Sequence, residues 1–112
     1  MRKMICLLAL VVILAFAGTA LADGAATYKE KCGICHGETG QGELGLAPAH
    51  KGNKFLIESK PEDIKMLVRR GRAGAAKKYK QFPLDMPKQS NADISDADLD
   101  DLVKFEQGDL QK

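Results

Sequence analysis

Tryptophan is absent from the 112 residues, histidine occurs twice and cysteine three times. Beyond residue 22 there are only two valines, Val68 and Val103, and Leu, Ile, Val and Phe together number 17 of 90 residues. So few β-branched residues, with no alternating apolar pattern, argue against a sheet-based fold. A chain of that length buries only roughly 60–65% of its unfolded surface, so its small apolar store needs a staple to make a firm core. Multidomain and polytopic membrane architectures are excluded by size. Basic excess is missing as well. Without Arg2 and Lys3 the 17 basic residues become 15 against 15 acidic ones, so residues 23–112 carry no formal net charge and nucleic acid is a poor partner.

The apolar residues that do occur are concentrated at the start, 18 of them in residues 1–22. Met1-Arg2-Lys3-Met4 is a short positive region, Ile5 to Ala17 an apolar run, and Ala20-Leu21-Ala22 a small-x-small cleavage site. Residues 1–22 are therefore expected to be a signal peptide for export to the periplasm, and residues 23–112 a single domain. An uncleaved leader is the one expected route to membrane attachment. Cys6, inside the apolar run, reads as a small hydrophobe.

Two cysteines remain, in Cys32-Gly33-Ile34-Cys35-His36. A structural zinc site needs four protein ligands, and only His50 remains as a further cysteine or histidine, so zinc is not expected. A thioredoxin-type redox pair belongs to a strand-helix fold that this composition does not support. Covalent haem attachment uses all three residues at once. Positions i, i+3 and i+4 share one face of a helix, so two thiols can bond the vinyl groups of one haem while the imidazole reaches its iron. Gly24 to His36 is helix-compatible, with Asp23 as N-cap. A tethered haem also supplies the missing core.

Iron held by one histidine needs a sixth ligand if it is to exchange electrons without binding small molecules. Met66 lies in a segment read as a helix, with a Ser59/Glu62 capping box and a Gly71 stop, but points away from the stripe Ile64, Leu67 and Val68. His50, 14 residues after His36, reads more readily as a surface loop residue than as a ligand. Met86, in Phe82-Pro83-Leu84-Asp85-Met86-Pro87, is held in a non-helical segment by two prolines and is the preferred ligand over simple core packing.

These residues resemble the class I c-type cytochromes, small monohaem electron carriers, over essentially all of residues 23–112. The resemblance implies an all-α cytochrome c fold of three to five helices wrapped around one haem c bound through Cys32 and Cys35. It also implies that Gly24 and Tyr28 meet Leu102 and Phe105 where the first and last helices cross, and that the Pro48 carbonyl accepts a hydrogen bond from His36. Met86-Pro87 is similar to the family's methionine loop, although the basic stretch from Gly71 to Phe82 is longer than in many small bacterial members. The implied iron ligands are His36 and Met86.

The C-terminal helix is the clearest local feature: Ser95 as N-cap with Asp98 at N3, Ile94 stapled to Leu99, Leu99, Leu102 and Val103 with Phe105 and Glu106 on adjacent rows, and a stop at Gly108. Asn53 to Glu58 reads as a connector. Arg69, Arg70, Arg72, Lys77, Lys78 and Lys80 form a basic tract open to two readings, a dock for an acidic partner or a solvated face. Tyr79 and Phe82 are expected to pack on haem or core. The expected function is one-electron transfer between exported or membrane-bound redox proteins, by a monomer without catalytic machinery. The alternative is a haem-based sensor or binder of nitric oxide or carbon monoxide, with Met86 labile. No distal histidine and arginine pair of the kind used by peroxidases is evident.

Overall fold

A computed structural model of the chain describes residues 23–112, and the expected leader lies outside the described residues. Five α-helices follow: α1 (Gly24–Lys31), α2 (Gly33–His36), α3 (Lys54–Glu58), α4 (Pro61–Arg70) and α5 (Asp96–Gln107). Short 3-10 turns occupy Gly74–Ala76 and Asp109–Gln111. Among the described residues there is no strand, only two isolated antiparallel bridges, Glu43 to Ala47 and Arg72 to Met86. No described helix is long and apolar enough to cross a membrane.

The caps explain most boundaries. The Asp23 carboxylate accepts from the N–H groups of Ala25 and Ala26 at 3.0 and 3.3 Å, satisfying donors that the first turn leaves unpaired. Ser95 Oγ accepts from Asp98 N–H at 3.1 Å, as expected for α5. The supposed connector is instead α3, started by Asn53 Oδ1, which accepts from Phe55 and Leu56. The Ser59/Glu62 box is absent too. Lys60 is the N-cap of α4, with no side-chain bond, and Pro61 begins the helix with its ring-fixed φ. Glu62 pairs forward with Lys65 at 3.2 Å instead of reaching back.

α1 lies across α5, and their crossing is close because Gly24 has no Cβ; one built there would collide with the Asp101 carbonyl. Tyr28 and Leu102 are fully buried at this crossing, with the Tyr28 and Phe105 rings 5.6 Å apart. Tyr28 Oη donates to the Gly37 carbonyl at 2.9 Å, so its phenol is satisfied inside the core and ties α1 to the turn after α2. Ile64 and Val68 of α4 complete the core with Leu99 and Val103 of α5. Ion pairs from Lys65 to Asp100 and from Arg69 to Asp96 flank that contact.

Candidate functional site

The turn that follows α1 does not continue it. The helix breaks at Cys32, whose φ and ψ are −115° and −42°, and the N–H groups of Cys35 and His36 then both bond to the Cys32 carbonyl, at 3.2 and 2.9 Å. The break leaves Cys32, Cys35 and His36 one turn apart and lining one cavity. Both thiols are free and partly buried. Burial, then the nearby Glu106 carboxylate and Cys35, push the Cys32 thiol well above the usual range. Thiol–disulfide chemistry wants the opposite, a thiol whose pKa is depressed so that the thiolate is populated.

His36 is fixed by what faces it. Its Nδ1 lies 2.7 Å from the Pro48 carbonyl oxygen. A carbonyl only accepts, so Nδ1 carries the proton and donates, leaving the lone pair on Nε2. Burial, and then the neighbouring His50, hold the His36 pKa down to about 4, while the Pro48 bond opposes the shift. Its imidazole is therefore neutral near pH 7. The loop carrying Pro48 is folded back by the Gly42 N–H, which donates to the His36 carbonyl at 2.7 Å. Gly42 has φ +79° and packs against the Ala49 backbone, so a side chain there would be both strained and crowded.

Met86 reaches the same cavity by another route. Its N–H donates to the Arg72 carbonyl at 2.8 Å, and the Arg72 N–H donates back to the Met86 carbonyl at 3.0 Å. Gly71, at φ +63°, lets the two backbones touch, since a Cβ there would strike the carbonyl of Met86. Gln89 N–H also donates to the carbonyl of Val68, the last buried residue of α4. The long basic stretch before Met86 is thus a stitched excursion. Lys80 Nζ donates to the Ala75 carbonyl at 2.8 Å, and Lys77 Nζ donates to the Pro83 carbonyl at 3.2 Å beside Asp85.

The remaining walls are largely apolar, with Ile64, Leu67, Val68, Tyr79 and Phe82 among them, and Lys31, Arg72, Lys77 and Lys78 bring positive charge to the lining. Two thiols, an imidazole with a free nitrogen, a thioether and an apolar enclosure could hold a flat iron porphyrin, the thiols by covalent links and the other two as soft, uncharged ligands. Met66 is 45% exposed on α4 and is not among the lining residues.

His50 departs from its surface reading. Its side chain is only 12% exposed and lies against Glu106, because the loop folds under α5 instead of over the surface. Glu106 is itself 1% exposed. Its row on α5, adjacent to the apolar ones, was legible; its burial and its partner 56 residues earlier were not. Nor does any periodicity single out Arg72 as the backbone partner of Met86. The basic tract is divided: Arg69 Nη1 donates to the Ile94 and Gln89 carbonyls, a structural duty, while Arg72 and Lys78 lie over the Phe55 ring.

Comparison with known proteins adds a family. Residues 19–105 match the family described as cytochrome C oxidase, cbb3-type, subunit III. The chain is similar to the alcohol dehydrogenase (quinone) cytochrome c subunits of Gluconacetobacter polyoxogenes and Komagataeibacter europaeus, 28% identical to each over 93 residues. That alignment takes in 83% of this chain but 20% of each relative, so the chain spans about a fifth of the length of the curated relatives it matches. No solved structure matches it.

Proposed function

This chain belongs to the c-type cytochromes of the cbb3-type subunit III family, and we propose that it is a one-electron carrier with histidine and methionine as its iron ligands. Proteins of this family carry covalently bound haem c with its iron. Bound there, the group supplies a metal that takes up and releases one electron without making or breaking a bond.

The chain's own residues do the rest. Cys32 and Cys35 would hold the porphyrin through thioether links, and their one-turn spacing would bring His36 within reach of its iron. Pro48 keeps the proton on Nδ1 of His36, so that Nε2 stays a ligand and its basicity is raised by the bond behind it. Met86 supplies a neutral sulfur that favours the reduced metal. With His36 and Met86 both available as ligands held by their own backbone bonds, little of the chain would have to move when an electron passes. The apolar walls exclude water and so raise the potential further. The observation that carries this reading is the hydrogen bond from His36 to Pro48 within a cavity that both thiols and Met86 also line.

The partners are exported or membrane-bound redox proteins, and by the likeness to quinone-linked alcohol dehydrogenase subunits a membrane dehydrogenase is one class of donor. The cations of the cavity lining, Lys31, Arg72, Lys77 and Lys78, suit a partner with an acidic face. Residues 1–22 direct the chain to the periplasm.

A mass and a visible spectrum of the natively expressed protein test this directly. The expected result is one haem added to the chain, a low-spin spectrum, and a ferrous form that carbon monoxide leaves nearly unchanged at neutral pH. A rapid shift with carbon monoxide would favour a gas sensor with labile Met86. A colourless product with alkylatable thiols would end the proposal.

A further inference from the structure

A single hydrogen bond is a loose guide for a ring. It settles which nitrogen faces the cavity, but tolerates roughly 30° of departure from linearity, so the bond to Pro48 by itself leaves the plane of the His36 imidazole free to swing. A second contact is present. The ring of His50 lies against that of His36, centroids 3.8 Å apart and planes inclined by 32°.

His50 is in turn seated from several sides. Its N–H donates to the Gly40 carbonyl at 2.9 Å, and its carbonyl accepts from the Asn53 N–H at 3.1 Å. Gln111 clasps the same loop from the C-terminal turn: Nε2 donates to the carbonyls of His50 and Glu106, at 3.0 and 2.8 Å, and Oε1 accepts from Gly52 N–H at 2.7 Å. The side chain of His50 meets Glu106, whose Oε1 lies 3.2 Å from Nδ1. The two meet without a hydrogen bond: neither His50 Nδ1 nor Glu106 Oε2 has a hydrogen-bond partner among the described residues. A polar side chain so deeply buried is costly without a polar neighbour, and the His50 ring is the polar group set against it. Tyr28 closes the remaining side, its ring centroid 5.8 Å from that of His50.

We infer that His50 is a positioning residue: seated by Glu106 and Gln111, it sets the plane of the His36 imidazole about the iron. The inference rests on His36 being the axial ligand. Its consequence is electronic. The plane of an axial imidazole selects which half-filled iron orbital mixes with the porphyrin, and so the direction in which unpaired spin spreads toward the haem edge in the oxidised protein.

The test is the proton NMR spectrum of the oxidised, haem-loaded full chain, in which the haem methyl shifts report that direction. His50→Leu, which keeps bulk but not a flat ring, should retain haem and the methionine charge-transfer band yet reorder or compress the methyl shifts. His50→Phe, which restores a flat ring, should recover most of the original pattern. Loss of thermal stability in His50→Leu with an unaltered methyl pattern would reduce His50 to packing and overturn the inference. If His50→Leu fails to fold, Glu106→Gln takes its place: a shifted pattern supports the seating of His50 and an unaltered one refutes it. A wild-type protein lacking histidine ligation would instead defeat the electron-carrier reading, so the two failures are distinguishable.

Discussion

One side chain that lines the cavity owes its state to its neighbours. His36 is held neutral by burial and by His50, with a pKa of about 4. The depressed value fixes the sign of its pH dependence. Between about 6.5 and about 4 the unfolded ring takes up a proton that the folded ring refuses, so its contribution to stability is whole above 6.5 and is lost as pH falls through 4. In the haem-loaded protein the iron and the proton would compete for the same nitrogen, so loss of the low-spin spectrum on acidification should have its midpoint well below the ordinary histidine value of about 6.5. A visible pH titration with its midpoint near 6.5 would contradict this. Met86→Ala should remove the sulfur-to-iron charge-transfer band of the oxidised protein and lower the reduction potential. An unchanged band would move the role to another group.

Among the helices, the α1–α5 crossing has the least slack. Gly24→Ala places a methyl against the Asp101 backbone, which cannot rotate away as a side chain would. The expected cost is about 1–3 kcal/mol, the usual penalty for overpacking, seen as a lower midpoint in thermal unfolding. Legibility varied from helix to helix for physical reasons. Asp23 and Ser95 act through bonds to the next few residues and Gly108 through bonds to the preceding few, so their spacing suffices to identify them. The short α3 has too few residues for a periodic stripe, although Asn53 is an N-cap signal that could have marked it. At α4 two start signals competed. Pro61 prevailed over the Ser59/Glu62 pair because its ring requires φ near −65°, while the Ser59 side chain forms no capping bond.

Across the whole molecule, zero formal charge conceals an uneven surface. Lys31, Arg72, Lys77 and Lys78 line the cavity, while Asp96, Asp98, Asp100 and Asp101 crowd the first turns of α5. Electrostatic steering acts on the encounter rate and is screened by salt over a Debye length of about 8 Å at physiological ionic strength. Oxidation of the ferrous protein by ferricyanide, an anion, should slow as salt is raised and should slow about threefold or more in Lys78→Glu at low salt. Stopped-flow rates that rise with salt would show that electrons leave through a different face.

The sequence by itself determined the chemistry contained in one turn, Cys32, Cys35 and His36, because bond lengths and helical rise leave that spacing little choice. It also marked the start of α1, both ends of α5 and the helical class, since so few β-branched residues were available for a sheet, but not the break at Cys32 inside the helix-compatible run Gly24 to His36. Tertiary structure alone decided which distant groups share the cavity. Arg72 holds Met86 across 14 residues and Glu106 meets His50 across 56. Such contacts depend on where loops turn back, and that is set by the packing of the helices against one another.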